Sequence, residues 1–147
     1  MGIFNSLAIS ASGLTAEKLR LDLISNNIAN MNTAGRPNDP ANPPYRRKVP
    51  VFSQVMEQVN LSGSMRSGFR GAGVRVSQIL ADNRPPRLAY EPENPLADEQ
   101  GYVAYPNINV VNEMVNMISA TRAYEANVTA LNAAKDIFLK ALEIGRG

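Results

Sequence analysis

The stretch FNSLAISASGLTAEKLRLDLISNNI, residues 4–28, decides how this chain is built. Leu7, Leu14, Leu21 and Ile28 recur in it every seven residues, with Phe4 and Ala11 on a second row. A sustained seven-residue apolar repeat belongs to a helix that buries one seam against another helix. The repeat returns near the other end of the chain. Met117, Tyr124, Leu131 and Phe138 form one row there, and Met114, Thr121, Val128 and Leu142 form the second. Seams at opposite ends predict termini that meet and a middle that projects outward. The expected fold class is α+β: long N- and C-terminal helices paired as a coiled-coil-like unit, with a small hairpin- and strand-rich middle region.

Composition narrows the function. The chain has 147 residues, enough for one domain or a helical domain with a smaller inserted unit. Fifteen basic and 13 acidic side chains leave a net charge of +2, which gives no electrostatic ground for nucleic acid or a membrane as main partner. Cysteine and histidine are both absent, so disulfides, thiolate nucleophiles, Cys/His zinc sites and histidine-based catalysis are excluded. Charges at Glu17, Lys18, Arg20 and Asp22 interrupt the apolar runs well short of a membrane span. The N-terminus lacks the basic start and compact apolar block of a cleaved signal peptide.

The chain divides into four segments: an N-terminal helix within 1–33, a proline-rich connector at 34–48, a β-rich middle at 49–106 and a C-terminal helix within 107–147. The first helix is expected from Asn5 to Asn30, capped by Asn5 or Ser6. It ends in an asparagine-rich stretch that includes Asn26, Asn27 and Asn30. Asparagine is a poor helix former whose amide both donates and accepts. The cluster therefore fits either a crowded helix–helix contact or a frayed, solvated end. Arg36 to Pro44 holds four prolines and is expected to be extended or disordered. Tyr45-Arg46-Arg47-Lys48 reads as a solvated or subunit-contacting basic patch.

In the middle, Val49, Val51 and Val55 form one candidate strand. Val74, Val76 and Ile79 or Leu80 form another, after a glycine-rich stretch from Gly63 to Gly73 expected to be flexible. Arg87–Tyr90 and Gly101–Tyr105 read as two arms of a hairpin. The carboxylates Glu91, Glu93, Asp98 and Glu99 sit between them with Pro92 and Pro95, and read as a solvated loop. The last helix starts after Pro106, with Asn107 or Asn109 as cap, and runs to about Ile144 before Gly145. Its apolar row is flanked by alanines, including Ala120, Ala123, Ala130 and Ala134. Small flanks allow several helices to approach at once.

Leu21-Asp22-Leu23-Ile24-Ser25-Asn26-Asn27-Ile28-Ala29-Asn30-Met31-Asn32-Thr33 resembles the N-terminal signature of the bacterial flagellar rod, hook and hook-associated proteins. Within that superfamily the chain is most similar to the proximal rod proteins. Pro44 to Lys48, Tyr90 to Asp98, Gly101-Tyr102-Val103, Glu113 to Met117 and Arg122-Ala123-Tyr124-Glu125-Ala126-Asn127 carry that closer likeness. The proline run after Gly35 departs from it, since many relatives continue there directly to an aromatic residue.

The resemblance implies a structural subunit with no catalysis and no cofactor, built head to tail into a helical tube that transmits torque from rotor to hook. It implies export from the cytoplasm through the flagellar type III apparatus and residence in the periplasmic rod. The implied partners are other copies of the chain, other rod proteins, the export apparatus and the basal-body ring at the rod base. Phe4, Leu7, Leu14, Leu21, Ile28, Met114, Met117, Tyr124, Val128, Leu131, Phe138 and Leu142 are expected to pack the helix seam. Asn26, Asn27, Asn30, Arg122 and Asn127 are expected to make polar contacts between subunits. Two rival classes are a soluble coiled-coil adaptor or export chaperone, and a cation-binding protein or enzyme using the Glu91–Glu99 loop.

Overall fold

The computed structural model describes residues 3–60 and 67–145. Its elements run α1 (Ile3–Ala29), β1 (Lys48–Asn60), β2 (Ser67–Ala81), β3 (Arg87–Tyr90), β4 (Tyr102–Tyr105) and α2 (Val110–Ile144). Two long helices flank two two-stranded sheets, β1–β2 and β3–β4, as the α+β reading requires. Residues 61–66 of the glycine-rich stretch lie outside the described residues, whereas Ser67 to Gly73 belong to β2.

Local chemistry sets the helix ends. α1 begins at Ile3, so Asn5 and Ser6 lie inside the helix and do not cap it. α2 has the expected cap at Asn109, whose Oδ1 accepts the Asn112 N–H at 3.2 Å while its carbonyl accepts the Glu113 N–H at 3.0 Å.

The chain forms two compact units, each drawing on both helices. The first comprises Met1–Leu19, Val51–Gln78 and Ser119–Gly147. The Phe4 and Phe138 rings meet there at 5.7 Å between centroids, and Gly13 faces Asn127, so the two helices run antiparallel. The approach at Gly13 is close, because a Cβ there would stand 2.9 Å from Asn127 Oδ1. The buried side chains of this unit include Ala16 and Ala120. The buried residues of these helix segments, Gly13, Ala16 and Ala120, are small, whereas the large heptad residues there are half-buried or exposed.

In this unit Ser12 of α1 takes up a backbone group of the β-ribbon. Ser12 Oγ donates to the Ile9 carbonyl at 2.7 Å and accepts the Val74 N–H at 3.1 Å. Gly73 makes that possible: its φ is +119°, and a Cβ there would collide with Ser12 Oγ.

The second unit comprises Arg20–Pro50 and Ile79–Ile118. Antiparallel β3 and β4 pair Arg87 with Tyr105, Leu88 with Ala104, Ala89 with Val103 and Tyr90 with Tyr102. Gly35 adds a further bridge to Ala104, with N···O distances of 2.8 and 2.9 Å in the two directions. Leu23, Ile24, Val103 and Ala104 are buried.

The connector after Gly35 differs from the expected extended or disordered run. The Arg36 N–H bonds the Asn42 carbonyl at 2.9 Å, which closes residues 36–42 into a loop. Asp39 Oδ1 accepts the Ala41 N–H at 2.8 Å inside it, and that bond holds the Asp39 carboxyl below its ordinary pKa. The prolines suit this loop because it needs few backbone donors.

A buried polar junction and an exposed apolar stripe

The end of α1, the start of β1 and the first turn of α2 are joined in the second unit by side chains of opposite chemistry. Asn27 and Glu113 are each only 1% exposed. Asn27 Nδ2 donates to Glu113 Oε2 and to the Lys48 carbonyl, both at 3.0 Å. Asn27 Oδ1 accepts the Lys48 N–H at 2.9 Å and the Tyr45 hydroxyl at 3.1 Å. Arg47 closes the set, with Nε 2.7 Å and a terminal nitrogen 2.6 Å from Glu113 Oε1. Both oxygens of the buried carboxylate are thus bonded, and so are the amide's donor and acceptor ends. Burial, then the nearby Glu113 charge, pushes the Tyr45 phenol above its ordinary pKa, so it stays protonated and can donate.

A second charged pair abuts this junction. The Asp82 N–H bonds the Arg47 carbonyl at 2.8 Å. Its carboxylate takes Arg84 Nε at 2.9 Å, a terminal nitrogen at 2.6 Å and the Arg84 backbone N–H at 2.9 Å. The Arg84 side-chain bonds, followed by the backbone bond, lower the Asp82 pKa from 3.8 to about 2. A depressed folded-state pKa means stabilisation present above the unfolded value and lost as pH falls towards the folded one. The melting temperature advantage of the native chain over Asp82→Asn is therefore expected to shrink between about pH 4 and pH 2. A constant difference across an acid series of thermal melts would refute this.

The carboxylates between β3 and β4 serve their own loop. Glu91 accepts the Tyr105 hydroxyl, at 3.0 Å for the nearer oxygen, and the Asn94 amide at 2.9 Å. Asp98 Oδ1 accepts the N–H groups of Gln100 and Tyr102 at 2.9 and 2.8 Å. Among the described residues, no three carboxylates converge as a metal site would require.

The twelve expected seam residues fall into two sets. Leu7, Leu14, Leu21, Ile28, Met117, Tyr124, Val128, Leu131 and Phe138 reach intermediate burial, whereas Phe4, Met114 and Leu142 are exposed. A helix pair offers each large side chain cover on one side only, so none is fully enclosed within one chain.

The expected intersubunit residues also separate. The Asn27 amide makes its bonds inside the chain, to Glu113 and Lys48. Asn127 donates to the Ala123 carbonyl at 2.9 Å and lies against Gly13. Asn26 and Asn30 donate to the carbonyls of Asp22 and Asn26 at 2.8 and 2.9 Å, back-bonding on their own helix. Arg122 is exposed.

The sequence reading did not single out Glu113 for burial. A lone carboxylate in the apolar run Val110 to Ile118, after a basic Arg46-Arg47-Lys48 cluster upstream, was the available signal.

A stripe of exposed apolar side chains lies on the face of α2 turned away from Glu113. Val111, Met114, Val115 and Ile118 are 68, 54, 60 and 56% exposed. Their spacing of three, four and seven residues puts them on one helical stripe. Among the described residues, no helix is long and apolar enough to cross a membrane.

Paired terminal helices, a strand-rich middle and an uncovered apolar helix face are features of an axial structural protein of the bacterial flagellum. Residues 7–35 match the flagella basal body rod protein model, and residues 99–144 match the flagellar basal body rod FlgEFG protein C-terminal model. The chain belongs to the FlgC family of flagellar basal-body rod proteins. It is 43% identical to the FlgC of Borreliella burgdorferi, with 100% of both chains covered. It is 44% identical to that of Bacillus subtilis and 40% to that of Salmonella typhimurium, each over 99% of this chain and 100% of the relative.

Proposed function

We propose that this chain builds the proximal part of the flagellar rod as a non-catalytic subunit. Copies add head to tail around a screw axis, and the resulting tube carries torque from rotor to hook. A heterologous contact of that kind propagates instead of closing into a dimer. The observation that carries the reading is the exposed stripe Val111, Met114, Val115 and Ile118, four large apolar side chains in register on one helix. Such a stripe is unfavourable in water and gains on burial by roughly 25 cal/mol per Å² of apolar surface. The terminal segments 1–33 and 107–147 supply the packing, and segment 49–106 braces neighbouring subunits. Other rod proteins, the type III export apparatus and the ring at the rod base are the remaining partners. The chain reaches the periplasm through that apparatus. A soluble adaptor would be expected to satisfy this stripe within a discrete oligomer.

Cryo-tomography of cells lacking the gene, with and without a plasmid copy, tests the reading directly. Rods missing above an intact membrane ring and restored by the plasmid are the expected result. Complete rods and hooks without the gene would overturn it. A point variant adds a finer test: Leu21→Asp puts a charge on the half-buried face of α1. It is expected to abolish rod assembly and motility while the protein is still expressed. Normal swimming in that strain would reject a role for the α1 seam.

A further inference from the structure

We propose that the acidic loop between β3 and β4 of one copy docks into a basic, proline-walled cavity on the next copy. The inference rests on the rod-subunit reading and adds a specific contact to it. The cavity measures about 290 Å³ and lies within the second unit. Four arginines, two aspartates and six prolines are among its lining residues, a surplus of two positive charges. Three of the arginines have partners in the chain: Arg47 holds Glu113, Arg84 holds Asp82, and Arg36 donates to the Pro95 carbonyl at 3.2 Å. The fourth, Arg46, is exposed and bonds nothing among the described residues.

The loop offers the complementary chemistry. Of its carboxylates, Glu91 and Asp98 are engaged in holding the loop's own shape. Glu93 and Glu99 are exposed and bond nothing among the described residues. Pro92 and Pro95 restrict the backbone beside Glu93, so presenting that carboxylate costs little ordering entropy. Among the described residues the loop meets the cavity lining through a hydrogen bond from Arg36 to Pro95, in which neither Glu93 nor Glu99 takes part. An acidic donor loop and a basic acceptor cavity at different places on one chain make a non-self-matching pair, which generates an open series of copies.

This sequence has no cysteine, so an introduced thiol is the only one within it. An arginine–carboxylate pair holds its Cα atoms farther apart than a disulfide tolerates, so a short bismaleimide is the appropriate probe. Arg46→Cys and Glu93→Cys copies, carrying different tags, would be co-expressed in cells lacking the native gene, and isolated basal bodies treated with the reagent. A product containing both tags, absent when either variant is expressed alone, is expected. Products joining two Arg46→Cys chains would mean a symmetric contact and overturn the proposal. Basal bodies that contain both variants but give no mixed product would overturn it too, and would point to another protein on the cavity. Arg46→Glu and Glu93→Arg should each lower incorporation about threefold, the size of effect an exposed ion pair supports, and the two together in one chain should restore it. No restoration by the combined swap would also count against the pairing. Absence of tagged native chain from basal bodies would instead reject the rod reading itself, independently of any cross-link.

Discussion

Glu113→Ala is expected to be the most damaging single change to this chain, destabilising the second unit by about 3 kcal/mol. The figure is the low end for removing one partner of a buried ion pair. Arg47 is 22% exposed and can recover some hydration, whereas Glu113 is 1% exposed. Asn27 Nδ2 would keep the Lys48 carbonyl and lose its carboxylate partner. Glu113→Gln retains shape and one acceptor and should lie between the native chain and Glu113→Ala. Thermal melts and hydrogen exchange of the amides from Asn27 to Lys48 would measure the effect. The expected exchange pattern is faster loss of protection in α1's last turns and β1's first residues, with little change near Phe4 and Phe138. Arg47→Ala combined with Glu113→Ala should cost less than the sum of the two, because each single change already breaks the same bond. Strict additivity would show that the junction contributes nothing as a pair.

Gly35→Ala is expected to come next, with a loss of about 2–3 kcal/mol, the upper part of the range for forcing extra atoms into a tightly packed site. A Cβ on Gly35 would collide with Pro44 N and stand 2.6 Å from the Pro43 carbonyl carbon and 2.7 Å from the Asn42 oxygen. All three are backbone atoms, so no side-chain rotation relieves them. Relief requires opening the loop that the Arg36–Asn42 bond closes, or breaking the bridge between Gly35 and Ala104. Gly71→Ala is the control, since a Cβ there meets nothing within 4 Å. Equal melting temperatures for the two variants would show that the loop closure is unimportant.

How much of this was legible in the chain depends on the range of the interaction. The helices were readable because their seven-residue spacing is local, and the β3–β4 hairpin because two short arms flank a turn-rich stretch. The flagellar family was readable from α1's asparagine-rich end together with the middle stretches. The polar junction was not, because Asn27 and Glu113 are 86 positions apart and no local rule pairs them. The Asn27 amide could equally serve a neighbour on sequence alone, and the bonds it makes within the chain become visible only in the fold. The proline run reads as extended or disordered because proline density describes each residue's φ and says nothing of a closing bond such as that from Arg36 to Asn42. The heptad residues announce a seam, but Gly13, which faces Asn127 closely, carries no periodic signal.

The bonds between Asn27 and Lys48 have a consequence for strand alignment. A carboxamide presents a donor and an acceptor side by side, as a peptide group does. By engaging both the N–H and the carbonyl of Lys48, the Asn27 side chain acts as a surrogate rung laid against the first residue of β1. A shift of β1 by one residue would turn its polar groups to the opposite edge and leave this rung empty. A shift of two residues would bring up Pro50, which has no N–H to give. β1 is thereby held at its first residue by a helix.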